Sequence, residues 1–335
     1  MVKPGVAGLQ QCWYRITPLH LVLLPVSFLF GLLAAVRRVL YRSGILPSER
    51  LPVPVIVVGN ITIGGSGKTP LTLWLAQQFI ECGWHPGIIS RGYGGSARFP
   101  QVVQPGSDPD EVGDEAVLMA QRQLCPVWIG RHRPAVARAL LQATPECDVI
   151  LSDDGLQHYR LQRDVEIVVV DGVRRFGNGF LLPAGPLREP TSRLNQVDAV
   201  VIHGGQAAIG QFSMQLHGDN FYNLLNPATT AQAADFKDLK LHAIAGIGHP
   251  QRFFQHLSHL GLVVQAHPFP DHHHYIVTDL DFSNADAILM TEKDAVKCAP
   301  FATEKCWVLR VDAQLDPALT QLILERIAPN GRQAA

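Results

Sequence analysis

The fold is decided by VIVVGNITIGGSGKT, residues 55–69. A β-branched run leads into glycines and then into an apolar-periodic segment, which is the order of a strand, a phosphate-binding loop and a helix. Glycines let backbone N–H groups turn inward around phosphate oxygens, and the helix N-terminus adds a favourable dipole. The lysine would reach the β- and γ-phosphates, and the threonine hydroxyl would hold Mg²⁺. The residues predicted to bind a nucleoside triphosphate are Gly64, Gly65, Ser66, Gly67, Lys68 and Thr69.

Two positions in this loop narrow the class of protein. The strict loop pattern has glycine where this chain has Thr62. Membrane-associated ATPase switches carry a signature lysine directly before the paired glycines, where this chain has Ile63. The sequence also contains no Asn-Lys-x-Asp segment, which reads guanine in GTPases. The loop therefore favours a phosphotransferase over a switch or a GTPase.

Composition sets the size of the protein and the kind of partner. The chain has 335 residues, of which 47% are hydrophobic, so it can form two domains with separate cores. It carries 29 acidic and 28 basic side chains and so lacks the basic balance that is typical of nucleic-acid binding. Its 14 histidines add positive charge only below about pH 6.5. Nucleic acid is therefore not an expected partner.

The cysteines indicate the redox compartment. They include no Cys-x-x-Cys pair and are spread along the chain, which is typical of buried apolar residues in a reducing compartment rather than of disulfides or zinc. The six are Cys12, Cys82, Cys125, Cys147, Cys298 and Cys306. The enzymatic part of the chain is therefore expected to face the cytosol.

The N-terminal segment LHLVLLPVSFLFGLLAAV, residues 19–36, is apolar on every side, unlike an amphipathic surface helix. Thr17-Pro18 is a good helix start, and three arginines between 37 and 42 end the run. A cleaved signal peptide fits poorly because arginines follow the run and no small-x-small site does. A buried core helix is an alternative, since the length is just enough to cross a bilayer. A membrane anchor is favoured, with the flanking arginines keeping the rest of the chain cytosolic.

From residue 53 onward, short β-branched runs alternate with helical stretches. The predicted strands are Val53–Val58, Gly87–Ser90, Val127–Ile129, Asp148–Ser152, Val165–Val170 and Ala199–Ile202. The predicted helices are Pro70–Cys82, Glu111–Gln123 and Arg133–Ala143. This alternation predicts parallel strands with helices on both faces, a three-layer α/β/α unit. Ligands of such sheets bind at the carboxyl ends of the strands.

The pattern weakens around 204–237, where a linker between two units is expected. Phe212–Leu216 and Phe221–Leu225 flank His217-Gly218-Asp219-Asn220, which predicts a β-hairpin. A smaller α/β unit follows, with strands at 241–245, 262–266, 286–290 and 306–311 and helices at 250–260 and 316–327. The expected division is a membrane-associated helix at 1–45, a phosphate-loop kinase domain at 46–210 and a smaller α/β domain at 211–335, with the hairpin at its start.

Two pairs of carboxylates stand near predicted element ends. Asp153-Asp154 end the apolar run 148–152 and so lie at a strand tip. Adjacent carboxylates are common in turns, but this location beside a phosphate loop favours Mg²⁺ binding. Asp114-Glu115 follow Gly113 and fit either a charged helix start or a catalytic base. Their spacing alone leaves both interpretations open.

Several loops carry basic or aromatic side chains. Ser90–Gly95 follows the second strand, and its Arg91 fits either bidentate binding of phosphate or a solvated loop charge. The Arg-His-Arg run at 131–133 has the same two interpretations. Residues 179–190 form an apolar, proline-stiffened loop that suits contact with lipid or closure over a substrate. Consecutive histidines, as in Asp271–Tyr275, rarely converge on one metal, so an Asp-His support is favoured over zinc. Thr291–Lys297 fits a helix N-cap with a charged first turn.

Together these motifs resemble the tetraacyldisaccharide 4'-kinases, the lipid A 4'-kinases of Gram-negative bacteria. The resemblance covers nearly the whole chain, and Thr62 agrees with the family's own loop. The segments that carry it are the N-terminal apolar run, Gly59–Pro70, Ser90–Gly95, Gly113–Glu115, Asp153–His158, Pro183–Pro190, Phe269–Tyr275 and Thr291–Lys297.

The resemblance implies a reaction and roles for named residues. The γ-phosphoryl group of ATP, with Mg²⁺, would pass to the 4'-hydroxyl of a tetraacylated glucosamine disaccharide 1-phosphate and give lipid IVA. Asp114 would be the catalytic base, His272 its partner from the second domain, and Lys68 a catalytic contact to the phosphates. The implied metal-handling residues are Thr69, Glu115, Asp153 and Asp154, and those implied to line the substrate site are Arg91, Tyr93, Gln157, His158 and Arg188.

The resemblance also implies a location and partners. Such enzymes sit at the cytoplasmic face of the bacterial inner membrane, here through residues 18–42. The expected partners are the membrane surface and the lipid substrate, and a monomer is one of the oligomeric states compatible with the sequence. The alternative function is a membrane-associated P-loop ATPase or switch acting on a protein partner.

Overall fold

The structure is a computed structural model that describes residues 13–14 and 18–328. The thiol of Cys12 and the helix-start hydroxyl of Thr17 lie outside the described residues. The α-helices in the described chain are α1 (Leu19–Arg42), α2 (Lys68–Glu81), α3 (Pro109–Val112), α4 (Asp114–Gln121), α5 (Arg133–Ala143), α6 (Pro250–His259), α7 (Glu292–Cys298) and α8 (Ala318–Ile327). The strands are β1 (Val55–Gly59), β2 (Pro86–Ser90), β3 (Gln101–Val103), β4 (Val127–Ile129), β5 (Val149–Asp153), β6 (Val165–Asp171), β7 (Ala199–His203), β8 (Phe212–His217), β9 (Asn220–Asn223), β10 (Thr230–Gln232), β11 (Leu241–Ala245), β12 (Val264–Pro268), β13 (Ala287–Thr291), β14 (Cys306–Leu309) and β15 (Asp312–Leu315).

Across residues 18–328, the larger of two sheets has nine strands in the order β15-β8-β7-β6-β1-β5-β2-β4-β3. Its inner strands run parallel, and antiparallel β3 and β15 form its edges. Strand β1 lies next to β5, with Val58 beside Asp153. The phosphate-binding loop after β1 therefore meets the Asp153-Asp154 pair at the same edge of the sheet, as expected for a parallel α/β fold.

The larger sheet has a core on each face. Ile56 and Val58 of β1 pack with α2, α4 and α8, while Val55 and Val57 pack with α5 on the opposite face. Successive strand residues point to opposite faces, so a run buried throughout predicts helices on both sides. Fully burying one such side chain contributes about 1.5–3 kcal/mol. The predicted three-layer α/β/α unit is confirmed.

In the described chain, the smaller sheet has six strands in the order β10-β9-β14-β13-β11-β12. Strands β12, β11, β13 and β14 are parallel, and β9 and β10 add antiparallel strands at one side. Ala243 and Ala245 of β11 pack with α6 on one face, and Ile244 packs with Tyr275 on the other. The first turns of α6 and α7, which follow β11 and β13, contact the larger sheet through Arg252 and Lys293.

The predicted hairpin around His217-Gly218-Asp219-Asn220 is wrong. Strand β8 pairs with β7 and β15 in the larger sheet, whereas β9 pairs with β14 and β10 in the smaller one. Met214 is buried in the core of the first sheet and Phe221 in that of the second. The turn residues permit a reversal, but burial of these side chains in different cores draws the two strands apart.

The C-terminal segment also departs from the expected division at 211–335. Strand β15, which the sequence pattern does not reveal, pairs with β8 at the edge of the larger sheet. Helix α8 then buries Leu319, Ile323 and Ile327 in the core of that sheet. The chain therefore leaves the larger sheet after His217 and returns to it at Asp312, so the smaller sheet is formed by the residues between them.

The predicted helix Glu111–Gln123 is two helices. Gly113 separates α3 from α4 with φ 91° and ψ 140°, a conformation that favours glycine. A Cβ at this position would lie 2.6 Å from the carbonyl oxygen of Tyr93, so a side chain would not fit. The break makes Asp114 the first residue of α4 and places it against the loop that follows β2.

Helix α1 lies on the outside of the larger sheet. In the described residues it is the one helix long and apolar enough to cross a membrane, and only 11% of its most apolar stretch is buried. Leu29 and Leu33, one turn apart, are 55% and 60% exposed. Its attached side packs on residues 178–189, where Ser27 Oγ accepts a hydrogen bond of 2.9 Å from Ala184 N. The alternative of a buried core helix is therefore wrong.

Candidate active site

Buried contacts shape the phosphate-binding loop. Asn60 donates from Nδ2 to Ser66 Oγ at 3.1 Å and to the Gly64 carbonyl at 3.3 Å. Gly67 precedes α2 with φ 95°, and a Cβ there would lie 2.7 Å from Nδ1 of His203. That nitrogen lies 3.0 Å from the Ser66 carbonyl oxygen. The position therefore requires glycine, and the loop is fixed by the protein itself.

Two cations converge on Asp154 at the end of β5. Lys68 Nζ lies 3.7 Å from Asp154 Oδ1, and Arg188 Nη1 lies 3.3 Å from the same oxygen. Burial alone would raise the pKa of Asp154, but the charges of Lys68 and Arg188 outweigh it and hold the pKa below its usual value. Asp154 therefore stays ionised between two positive groups. Such groups beside a phosphate-binding loop suit the charge of a triphosphate.

Asp153 has an oxygen without a partner. The side chain is fully buried, and Oδ1 accepts from Thr72 Oγ1 at 3.2 Å, while Oδ2 has no hydrogen-bond partner among the described residues. Burial and the nearby charge of Glu115 raise the pKa of Asp153 to about 7. A buried carboxylate oxygen of this kind is stabilised by a cation.

This oxygen fits a magnesium ion bound together with a nucleotide. Among residues 13–14 and 18–328, no group of three His, Cys, Asp or Glu side chains is arranged to hold a metal by itself. Mg²⁺ in phosphoryl-transfer sites takes one or two carboxylates and completes its shell with phosphate oxygens and water. Asp153 Oδ2 is the kind of oxygen that such an ion takes, and Thr69 lies in the first turn of α2, the helix whose Thr72 contacts Asp153.

Asp114 and His272 form a contact between the two sheets. His272 Nδ1 lies 3.1 Å from Asp114 Oδ2, and Asp114 Oδ1 accepts from Glu115 N at 2.9 Å. Asp114 is the first residue of α4 and is almost completely buried, whereas the His272 side chain is about one-third exposed. We name this contact the Asp114–His272 pair. Asp114 therefore begins a helix, as one of the two interpretations expected, and it also has a histidine partner.

The pair has perturbed electrostatics. Burial alone would raise the pKa of Asp114, but the hydrogen bond with His272 and the charge of Lys293 outweigh it and lower the pKa. The same hydrogen bond raises the pKa of His272, although burial and Lys293 oppose it. Asp114 is therefore ionised at neutral pH and can accept a proton, which is what a general base requires.

The histidines that follow Asp271 face three different carboxylates. His272 contacts Asp114, His273 Nε2 lies 2.9 Å from Asp279, and His274 Nδ1 lies 3.7 Å from Asp110. This divergence agrees with the view that consecutive histidines on a loop do not share one metal. Of these three histidines, only His272 contacts Asp114.

The residues expected to line the substrate site fall into two groups. Tyr93 packs its ring 5.3 Å from that of His272. Gln157 donates from Nε2 to Glu189 at 2.8 Å and lies 3.5 Å from Arg188. In the described residues, no hydrogen bond links His158 or Arg91 to Tyr93, Gln157 or Arg188.

His158 is a neutral histidine among cations. Burial, with the charges of Arg133 and Arg91, lowers the pKa of His158 to about 3. Arg91 itself is exposed at the end of β2, as is Arg131 after β4. Arg133 is completely buried and donates to the Asp153 carbonyl at 2.8 Å, so it supports the strand tip rather than facing solvent.

Some site residues were not predicted from the sequence. Arg252 Nη2 donates to Asp171 Oδ1 at 2.6 Å, and Arg174 Nη2 donates to the Gly248 carbonyl at 2.6 Å. Both bonds join the smaller sheet to the larger beside the phosphate-binding loop, where a Cβ on Gly248 would lie 3.2 Å from Gly65 N. Such contacts depend on how the two sheets meet, and no local pattern in the sequence marks them.

A groove lies between α1 and the loop that contains Leu181 and Arg188. It has a volume of about 300 Å³ and is lined mainly by apolar side chains of α1 and by Leu181, with Arg38, Arg188 and Glu189 at its polar end. Arg38 Nη1 lies 3.6 Å from Glu189 Oε2. The groove therefore runs from the exposed apolar helix toward the cation that contacts Asp154.

Comparisons with known proteins agree with this geometry. The family described as tetraacyldisaccharide-1-P 4'-kinase, LpxK, matches residues 19–328. A protein of Methylobacillus flagellatus named tetraacyldisaccharide 4'-kinase is 53% identical over 95% of both chains. One of Azoarcus sp. with the same name is 53% identical over 96% of both.

A solved structure is also similar. It is the crystal structure of the "apo" form of LpxK from Aquifex aeolicus in complex with ATP. It superposes with a TM-score of 0.79 and 30% sequence identity, covering 92% of this chain and 99% of that one. The similarity therefore extends over both sheets.

Proposed function

The chain belongs to the tetraacyldisaccharide-1-P 4'-kinase family, and we propose that the cluster at its strand tips carries out that reaction. The enzyme transfers the γ-phosphoryl group of ATP, with Mg²⁺, to the 4'-hydroxyl of the lipid A precursor disaccharide 1-phosphate. The observation that carries our assignment of the site is the Asp114–His272 pair, because the next residue, Glu115, lies close enough to Asp153 for its charge to raise the pKa of Asp153.

Asp114 is proposed as the general base. It is ionised, and one of its oxygens is held by His272 at 3.1 Å. Such a carboxylate can take the proton from the 4'-hydroxyl as the oxygen attacks phosphorus. His272 positions the carboxylate and shares the proton. The proton thus leaves the acceptor toward the pair while the sugar oxygen bonds to the γ-phosphorus, the bond from that phosphorus to the β,γ-bridging oxygen breaks, and ADP leaves with that oxygen.

The phosphates and the metal are assigned to the loop and to β5. Residues 64–67 would surround the phosphate oxygens, and Lys68 would neutralise charge as it develops on the transferred group. Thr69, Asp153 and Asp154 would hold Mg²⁺, which would supply positive charge to stabilise the phosphoryl group during transfer. Glu115 is proposed as a more distant contributor, because its Oε1 accepts from Lys293 Nζ at 3.1 Å.

The acceptor is assigned to the side of the site that faces α1. Arg188 lies at the polar end of the groove beside Asp154, and Gln157 contacts it. Tyr93, packed on His272, would face the sugar near its 4'-hydroxyl. Arg91 and His158 would complete this side, with Arg91 available for an anionic group of the substrate.

The apolar helix α1 explains how the enzyme reaches a lipid. Its outer face is exposed and apolar, and the arginines at its C-terminal end suit anionic headgroups. We propose that residues 18–42 attach the enzyme to the cytoplasmic face of the inner membrane. The lipid substrate then keeps its acyl chains in the bilayer while its headgroup enters the site.

The two sheets are proposed to act as separate units. Residues 46–217 with 312–328 would form the kinase unit, and the residues between them a smaller unit that supplies His272. Because the Asp114–His272 pair joins the two, closure of the smaller unit would complete the site, as lids do in other kinases. The contact between Arg252 and Asp171 at 2.6 Å supports the same closure.

A phosphate-transfer assay tests the reaction. We expect label from γ-³²P ATP to appear on the tetraacylated disaccharide 1-phosphate in mixed micelles, and none on a control lipid whose 4'-position is already phosphorylated. The alternative, a membrane-associated ATPase or switch, is disfavoured by Ile63 and predicts release of inorganic phosphate instead. Equal phosphate release with and without the lipid acceptor would contradict the kinase assignment.

A charged α1 tests the membrane attachment. We expect Leu29→Glu with Leu33→Glu to lower the partitioning of the protein into vesicles about 100- to 10,000-fold, since each of the two buried leucines contributes about 1.5–3 kcal/mol and 1.4 kcal/mol is tenfold. Neither residue lines the groove, so activity on detergent-dispersed substrate should persist. Leu225→Glu is the control, because Leu225 is 57% exposed but lies in the smaller unit. Unchanged co-sedimentation of the double variant would remove α1 from the attachment.

A further inference from the structure

Lys293 reaches from the smaller sheet to the catalytic pair. It lies in the first turn of α7, and its Nζ is 3.1 Å from Glu115 Oε1 and 3.9 Å from Asp114 Oδ2. Within its own unit, Nζ lies 3.5 Å from Asp271 Oδ1 and 3.5 Å from His272 Nε2. One ammonium group therefore touches both members of the Asp114–His272 pair and the carboxylates that flank them.

The position of Lys293 is defined by charge. Its side chain is only 16% exposed. Burial alone would lower the pKa of Lys293, but Glu115, Asp114 and Asp271 outweigh it and raise the pKa. A buried charge is tolerated where it is paired. The ammonium group is therefore held where carboxylates of both units surround it.

Glu292, the residue before Lys293, contacts the C-terminal end of α4, the helix that Asp114 begins. Glu292 Oε2 accepts from Arg122 Nη2 at 2.8 Å and from Val311 N at 3.1 Å. Arg122 directly follows α4, and Asp114 begins it. Two consecutive residues of α7, Glu292 and Lys293, therefore contact the two ends of α4. The distance between Asp114 and the smaller unit is set by two contacts rather than one.

The contact to His272 also selects a proton arrangement. Lysine offers donors and no acceptor, so the ring nitrogen that faces it, Nε2, must present its lone pair. The proton of the neutral ring then lies on Nδ1 and points to Asp114 Oδ2 at 3.1 Å. This is the tautomer that allows His272 to donate to the carboxylate of the base.

We propose that Lys293 is a positioning residue that locks the Asp114–His272 pair into its reactive arrangement when the two units meet. This inference rests on the proposed role of Asp114. It assigns a catalytic consequence to the first turn of α7, which the sequence pattern marks only as a capped, charged helix start.

The test compares the change in kcat with the change in KM for ATP in Lys293→Met. This substitution keeps most of the unbranched apolar side chain and removes its charge. We expect kcat to fall about 100-fold, the scale of a misplaced catalytic group, while KM for ATP changes less than about 3-fold. Lys293→Arg should recover at least about 5-fold over Lys293→Met because it restores the charge. Wild-type kcat in Lys293→Met would overturn the proposal.

A double-mutant cycle separates positioning from a merely structural role. In a His272→Ala background, Lys293→Met should cost less than about 3-fold, because the pair that it positions is already broken. An undiminished, multiplicative loss would overturn the proposal. Lys297→Met is the matched control: Lys297 is similarly buried on the same helix but pairs at 3.3 Å with Asp294 of its own unit and acts less strongly on Asp114, so kcat should fall much less than in Lys293→Met.

The outcomes also separate this inference from the proposed function. If Asp114→Asn is inactive while Lys293→Met turns over normally, Asp114 keeps its role and only the positioning role is lost. If Asp114→Asn turns over normally, the base assignment itself is wrong. Melting temperatures of Lys293→Met and Lys297→Met should fall together, and loss of folding in the first alone would overturn the positioning role.

Discussion

Asp114→Asn should lower kcat about 1000-fold, within the range that general-base catalysis contributes. Asparagine has the same shape and can still accept a hydrogen bond from His272, but it cannot take the proton of the acceptor hydroxyl. The dissociation constant for ATP should change less than about 3-fold, since the interaction lost is one made in the transition state. Steady-state kinetics and nucleotide titration check the two quantities separately.

The control for this variant is Asp110→Asn. Asp110 lies four residues earlier in α3, is largely exposed and contacts His274 at 3.7 Å rather than the pair. Its replacement should leave kcat unchanged, because exposed ion pairs contribute little. A full wild-type rate in Asp114→Asn, with the control also normal, would assign the base to another group.

Lys68→Met should reduce kcat/KM for ATP about 100- to 1000-fold, the cost of removing one preorganised electrostatic contact to a transition state. The Lys68 side chain is only 11% exposed, and Lys68 is the first residue of α2, at the end of the phosphate-binding loop. Methionine keeps the apolar stem but cannot neutralise charge on the γ-phosphate. Both turnover and nucleotide affinity should fall, in contrast to the Asp114 variant, where only turnover does.

Folding should survive this change, and that makes the measurement interpretable. Asp154 loses Lys68 at 3.7 Å but keeps Arg188 at 3.3 Å, so its buried charge remains paired. The melting temperature should therefore move by only a few degrees. Lys305→Met, which removes an amine bound to the Ala285 carbonyl in the smaller unit, is expected to behave like wild type. Normal ATP-dependent transfer by Lys68→Met would show that the loop does not bind the reacting phosphates.

The larger sheet could be predicted from sequence because its signals are local. Runs such as Val55–Gly59 are buried throughout, and helices between them follow a regular alternation. The predicted strand Val127–Ile129 and helix Arg133–Ala143 agree with the structure residue for residue. Strand β3 was missed because it is short, antiparallel and partly exposed, and so carries little hydrophobic pattern.

What the sequence did not reveal depends on contacts between distant segments. The hairpin prediction was wrong because turn residues specify where the chain can bend, not which core receives each strand. The break at Gly113 was missed because glycine inside a helical pattern is ambiguous until its neighbour, the Tyr93 carbonyl, is known. Burial of Asp294, which accepts from Tyr275 at 3.0 Å, likewise appears only in the folded chain.

The candidate site also contains some residues that local sequence patterns predict and others that only contacts between distant segments reveal. The loop at 64–69 and the Asp153-Asp154 pair were found from residues alone, since both follow buried strands that end at one edge of the sheet. The roles of Asp114 and His272 came from family resemblance, because 158 positions separate them in the chain. Lys293 was passed over because a charged first turn has an ordinary explanation in helix capping.

The return of β15 and α8 to the larger sheet bears on how the protein is made. Leu315, Leu319, Ile323 and Ile327 complete a core whose other members begin at Ile56. These residues follow the smaller sheet in the chain, so the smaller sheet is synthesised before them. The nascent chain can thus complete the smaller sheet first, while the larger sheet keeps an open core until α8 has been synthesised. Until then the apolar surface that α8 covers is exposed, and such surface is what chaperones shield.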